Sequence, residues 1–145
     1  MKLSVFSDVC LRTLMLLASR RDELITTRDI AEQIGVPYNH VAKAVLELRN
    51  RGAIEVSRGR LGGSHITATG LQLTVGTLLR DLDPRADVVD CVSAHGVACP
   101  LLSQCGLRSA LRRAREAFYA ELDGLRVEDL SGAATTTMLP FPVLR

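Results

Sequence analysis

Three cysteines, Cys91, Cys99 and Cys105, fall within fifteen residues in the pattern C-x7-C-x5-C. Thiolates are soft donors that suit iron–sulfur clusters, zinc or copper(I). The spacing is not that of a zinc ribbon, which uses two C-x2-C knuckles. Nor is it the C-x-x-C of a dithiol oxidoreductase. Three thiolates leave a metal or cluster one ligand short. Where disulfides are disfavoured, such clustering points to metal or redox chemistry. On spacing alone a cluster, zinc, redox thiols and buried cysteines all stay open. No Cys-His-Asp arrangement or close cysteine pair supports an enzyme. A fourth cysteine, Cys10, reads as a small buried apolar residue.

A second set of residues suits contact with nucleic acid. Residues 37–50 read as a helix with Val41, Val45 and Leu48 on its core face. At about 100° per residue, Asn39 and Lys43 lie nearly opposite Val41. Asn39 suits bidentate pairing with adenine, and Lys43 suits guanine or a phosphate. Tyr38 and His40 flank the helix start and suit phosphate contacts. Leu46 also points outward on this wheel. The run Arg58-Gly59-Arg60-Leu61-Gly62-Gly63 is a basic, glycine-rich turn. Its Arg58 and Arg60 suit an adjacent minor groove or the backbone. Arg28, at the start of the preceding helix, suits a phosphate beside the helix N-terminal amides. Charge follows the same division. Residues 1–80 carry eleven Lys/Arg against seven Asp/Glu, and residues 81–145 carry seven against nine. The basic half is the half that would meet an anionic partner.

Stepping outward from these groups, a sequence of elements must position them. Residues 4–20 read as a helix, capped by Ser4 or Ser7. Residues 24–25 read as a short extended piece. Thr26-Thr27-Arg28-Asp29 reads as a capping box opening a short helix. Gly35 ends that helix in the left-handed conformation, and Pro37 opens the next, which Gly52 stops. Two helices joined by a tight glycine turn are a helix-turn-helix candidate. Residues 53–57 and 65–67 read as strands either side of the basic turn. A hairpin with a basic tip directly after the second helix is the layout of a wing.

Thr74 caps a further helix that Pro84 stops. From about residue 107 to 122 a charged helix carries the stripe Leu107, Leu111, Ala114, Phe118 and Leu122. Such a stripe needs a partner, so this reads as a dimerisation helix. Residues 131–145 read as a flexible tail. The expected fold is mainly α (α+β), a winged helix-turn-helix with a long C-terminal dimerisation helix. Its parts are a DNA-binding domain over residues 1–83, a cysteine loop over 84–106, the dimerisation helix over 107–130 and the tail. A dimer of such units reads an inverted repeat with half-sites roughly one helical turn apart. Residues 1–6 lack the apolar region of a signal peptide, and residues 14–18 are too few to span a bilayer. The expected compartment is therefore the cytoplasm, with no membrane partner.

Taken together, the chain resembles the iron–sulfur winged-helix repressors that include NsrR and IscR. The residues that carry the likeness are Phe6-Ser7-Asp8, residues 36–43, Arg58-Gly59-Arg60-Leu61-Gly62-Gly63, and Cys91, Cys99 and Cys105. It covers about residues 1–130. The branches of that family differ in the fourth ligand. The IscR branch has a His three residues after the last Cys, where this chain has Arg108. The NsrR branch has an Asp near the start of the first helix, donated by the other subunit, and this chain has Asp8. The resemblance therefore implies a [4Fe–4S] cluster on Cys91, Cys99, Cys105 and Asp8 from the other subunit. It implies repression of nitric-oxide detoxification genes, with DNA released when nitric oxide attacks the cluster. One departure is the first cysteine gap, seven residues where the family pattern has about five. The longer gap carries His95 as a competing ligand. Cys10 lies about 200° around the helix from Asp8, so both cannot face one cluster. A [2Fe–2S] sensor of redox or iron status, and a zinc-stabilised winged-helix protein, are the rival readings.

Overall fold

The structure is a computed structural model that describes residues 3–83, 88–89, 91 and 96–132. Its first helix, α1 (Val5–Ser19), starts where Ser4 accepts a hydrogen bond from the Ser7 amide at 3.0 Å. Ser7 is itself buried and bonds Ser4 Oγ through its hydroxyl. The inner face of α1 carries Val9, Cys10, Leu14 and Leu17, all essentially without solvent contact. Each such Leu or Val contributes about 1.5–3 kcal/mol relative to exposure. This helix is the centre of the molecule.

The helix-turn-helix follows. Thr26 caps α2 (Thr27–Ile34) by accepting from the Asp29 amide, and its hydroxyl donates to Asp29 Oδ2 at 2.7 Å. Gly35 ends α2 at φ +66°, a left-handed conformation that favours glycine. Pro37 proves to be the cap of α3 (Tyr38–Asn50) rather than its first helical residue. Its ψ of 137° is extended, and its carbonyl takes the amides of His40 and Val41. Val41, Ala44, Val45 and Leu48 bury the inner face of α3 against α1. Gly52, at φ +69°, ends this helix.

The wing is an antiparallel pair, β1 (Ile54–Ser57) and β2 (Gly63–Ile66), with Ile54 opposite Ile66. Ile25 extends it through a bridge to Ser64. Strict alternation along β1 is not observed. Only Ile54 is buried, because the hairpin runs out beyond the core.

Two elements differ from the sequence reading. Thr67, read as the end of a strand, caps the short helix α4 (Ala68–Gln72). Its oxygen accepts the Gly70 amide at 2.9 Å and donates to the Gly52 carbonyl at 2.6 Å. Then Thr74 caps α5 (Val75–Leu82), as expected. A 3-10 turn at Leu102–Gln104 precedes α6 (Gly106–Leu122). The chain then turns back into α7 (Val127–Gly132), which reaches past the start of the expected tail. Val127 is fully buried and packs α7 on α1. Its amide bonds the Leu73 carbonyl at 3.0 Å. Among the described residues no helix is long and apolar enough to cross a membrane. The mainly helical winged helix-turn-helix architecture is therefore as the residues foretold.

Cys10 is one of the most enclosed side chains. Burial, reinforced by Glu47 and offset by Arg51, pushes its thiol from an ordinary 9.0 up to about 12. The reactive species is the thiolate. In cluster-free native protein at pH 8, three thiols are therefore expected to react quickly with a thiol-specific reagent. The fourth should react only after unfolding. Four fast equivalents would contradict this placement.

Candidate functional site

The exposed face of α3 carries the side chains expected to meet DNA. Tyr38 is 53% exposed, and Asn39, His40 and Lys43 are all exposed. They share the outer surface because Val41, Ala44, Val45 and Leu48 occupy the inner one. Arg28 lies at the start of α2 and lines a groove of about 560 Å³ with Glu32, Gly35, Val36, Pro37 and Tyr38. Leu46 is half exposed on the same helix, and nothing in the structure explains it.

At the hairpin tip, Gly59 takes φ +106° and its carbonyl accepts the Gly62 amide at 3.0 Å. Gly62 has no room for a side chain, since a Cβ there would collide with the Ser57 carbonyl. The turn therefore has one shape, and it holds Arg58 and Arg60 out in solvent. Arg28, Lys43, Arg58 and Arg60 make no ion pair among the described residues. By contrast Arg12, Arg20, Arg51, Arg80 and Arg126 are all spent on internal carboxylates. The helix-turn-helix and wing thus carry four exposed cations that no internal carboxylate takes up.

The cysteine loop hangs between two helices that are clamped together. Arg80 of α5 donates to both Glu116 and Asp123 of the α6 end, at 2.8 and 2.9 Å. The hydrogen bond from Arg80 to Asp123, with the guanidinium charge behind it, holds the Asp123 carboxyl below the usual carboxylate range against the opposing effect of burial. The Tyr119 hydroxyl donates to Asp83 at 2.7 Å, and the Arg80 guanidinium lies 5.5 Å from the Tyr119 ring centre.

Inside the loop the Cys99 amide donates to the Cys91 carbonyl at 2.9 Å. The Leu102 amide then donates to the Cys99 carbonyl at 3.0 Å. Cys105 caps α6, its sulfur accepting the Arg108 amide at 3.3 Å. A helix N-terminus favours negative charge at that position. All three cysteines are half-buried and none is in a disulfide. The main chain thus draws Cys91 to Cys99 and fixes Cys105 at a helix end. Among the described residues, however, no three His, Cys, Asp or Glu side chains converge as a metal-holding group. His95 lies outside the described residues. The donor set, three thiols on one short segment outside any disulfide, fits a soft metal or an iron–sulfur cluster.

Asp8 projects from α1 with its side chain 43% exposed. Both of its oxygens are engaged by Arg12, at 3.0 and 2.9 Å. On α6 part of the apolar stripe is open in the single chain, while Leu111 and Leu122 are half-buried and Leu122 packs against Val75, Leu79 and Tyr119. Leu107 is 63% exposed and Phe118 38%, and Ala114 is exposed. Tyr119, on the inner side, is buried against Val75 and Leu79 of α5.

A model of one regulator family, described as "Iron-dependent Transcriptional regulator", matches residues 3–133. The chain belongs to the Rrf2 family. Within it, the chain is 49% identical over 141 residues to the "HTH-type transcriptional repressor NsrR" of Streptomyces coelicolor. That match covers 96% of this chain and 94% of the relative. A Bacillus subtilis regulator of the same name is 33% identical, with 90% of each chain covered. Among solved structures, CymR of B. subtilis superposes with a TM-score of 0.67 at 22% identity, covering 91% of this chain and 97% of that one. IscR of T. potens gives 0.66 at 18% identity, covering 90% and 85%. These likenesses settle the winged-helix fold. The named Rrf2 relatives are transcription regulators rather than enzymes.

Two features of this Rrf2 chain escaped the sequence reading. Arg12 as the partner of Asp8 carried a readable signal, opposite charges four residues apart on one helix. The Arg80 clamp carried none, since its partners are 36 and 43 residues away.

Proposed function

We propose that this Rrf2 chain is a dimeric repressor that senses nitric oxide through a [4Fe–4S] cluster. Cys91, Cys99 and Cys105 would hold the cluster, with Asp8 of the partner subunit as fourth ligand. It binds inverted-repeat operators of nitric-oxide detoxification genes and works in the cytoplasm. The observation that carries this reading is the run of three thiols, none in a disulfide, in the segment that joins two clamped helices. The names of the relatives support the repressor role. When bound, the cluster supplies an iron whose carboxylate ligand exchanges more readily than a thiolate, and so a point of attack for nitric oxide.

The chain's own residues do the rest. Asp8 must leave Arg12 to reach across a dimer, so Arg12 competes for the same carboxylate. The open part of the α6 stripe supplies the dimer contact. Arg80 and Asp83 hold α5 and α6 in one geometry, so a change in the loop reaches both helices. A hundredfold change in DNA affinity requires only about 2.7 kcal/mol of differential stabilisation.

The decisive test is anaerobic operator binding before and after nitric oxide. Cluster-loaded protein should bind and then release, and continued binding after exposure contradicts the sensing role. Mössbauer spectra of the same sample separate [4Fe–4S] from [2Fe–2S], and stoichiometric zinc without colour contradicts both. An Asp8→Ala variant should fold and dimerise but retain its cluster poorly or change its response. Unchanged retention and response would remove Asp8 from the ligand set. Lys43→Ala should weaken DNA binding without bleaching the protein. If Lys43 meets a phosphate, the slope of log affinity against log salt falls by about one. An unchanged slope would reassign Lys43 to a base or to solvent.

A further inference from the structure

Leu61 is 89% exposed at the very tip of the wing. A single exposed apolar side chain is ordinary by itself, but Leu61 stands between two exposed arginines on a turn of fixed shape. Here the tip is rigid by construction. Gly59 and Gly62 close the turn, and the space a Cβ would need at Gly62 is taken by the Ser57 carbonyl. The backbone of the turn therefore holds Leu61 at the tip, away from the core.

Its neighbours identify the occupant. Arg58 and Arg60 flank it, both exposed and neither in an ion pair among the described residues. No acidic residue lies between Ser57 and Ser64. Two free cations around one apolar knob match a surface whose rims are anionic and whose interior is apolar. The minor groove of DNA is such a surface, with phosphate rims about 6 Å apart and sugar walls between them. Apolar side chains that enter that groove wedge against its base steps, a contact with no charge for salt to screen.

We propose that Leu61 is a minor-groove contact that packs against the sugar walls and groove floor while Arg58 and Arg60 engage the rims. The inference rests on the DNA-binding reading and assigns the wing an apolar element of recognition. Because the contact is apolar, it is distinct from the charged contacts by its salt dependence. Because it needs an unobstructed floor, it favours base pairs without the guanine 2-amino group.

The test uses the full chain and a duplex that the wild-type protein selects from a randomised inverted-repeat library. Leu61→Ala should weaken binding about tenfold with an unchanged salt slope. Arg60→Ala should lower that slope by about one. Leu61→Met should keep most of the affinity, and none of the variants should shift Tm. Replacing adenines beneath the wing with 2,6-diaminopurine places an amino group on the groove floor. It should weaken wild-type binding and affect Leu61→Ala much less. Equal diaminopurine penalties in the two proteins, or wild-type affinity in Leu61→Ala, would overturn the proposal. Were the wild type to select no duplex, the DNA-binding reading would fall and this inference with it. Should Leu61→Ala bind DNA normally but lose a protein partner, the occupant would be protein instead.

Discussion

A Cys99→Ala variant is expected to purify anaerobically without iron, sulfide or colour, and to bind operator DNA about a hundredfold more weakly. The reason lies in the donor count. Three thiolates are the whole of the chain's own soft ligand set, and removing one leaves two. Alanine at position 99 keeps the main-chain bonds that define the turn, from the Cys99 amide to Cys91 and from Leu102 to Cys99. The loss is therefore of the ligand rather than of the fold. Cys10→Ala is the matched control. It removes a buried thiol from the core, costs some packing stability and should leave colour unchanged. Iron analysis with far-UV circular dichroism checks both. Full cluster retention in Cys99→Ala would contradict the ligand set, and bleaching in Cys10→Ala would point to the wrong cysteine.

The second large effect is expected at α6. Phe118 is 38% exposed, and Leu107 and Ala114 beside it are open. A charge in that stripe costs the single chain little but cannot be buried across an interface without a partner. Phe118→Asp should therefore convert a dimer to a monomer with an unchanged circular dichroism spectrum. Two linked reading heads gain effective concentration on a two-half-site operator, a factor of about 10² or more. Monomerisation should remove that factor. On the proposed ligand set it should also weaken cluster retention, since Asp8 of the partner subunit would then be absent. Light scattering and iron analysis on one sample test both. A Phe118→Asp protein that stays dimeric would move the interface elsewhere, and a monomer with full cluster retention would argue that each chain supplies all ligands.

Local chemistry explains what the sequence disclosed. Thr26, Gly35, Gly52 and Thr74 act within a turn of themselves, so their caps and stops are readable without the fold. The outward face of α3 follows from the burial of Val41, Val45 and Leu48 on the other side. What was hidden depends on distant partners. Thr67 looks like a strand end; its cap on the Gly70 amide is local, but the Gly52 carbonyl that anchors its hydroxyl lies fifteen residues earlier. Val127 looks like a surface valine until α7 turns back onto α1. The Arg80 clamp joins residues far apart in the chain, and periodicity is blind to it. At the cysteine loop the spacing announces soft-donor chemistry, but the distances between the sulfurs are set by the tertiary fold. Asp8 was visible by resemblance. Its engagement by Arg12 required the helix to be built.

The most direct measurement is iron and acid-labile sulfide in protein prepared without oxygen. The account predicts about four of each per chain, with absorbance lost on adding nitric oxide. Protein free of both, yet folded and bound to DNA, would contradict it.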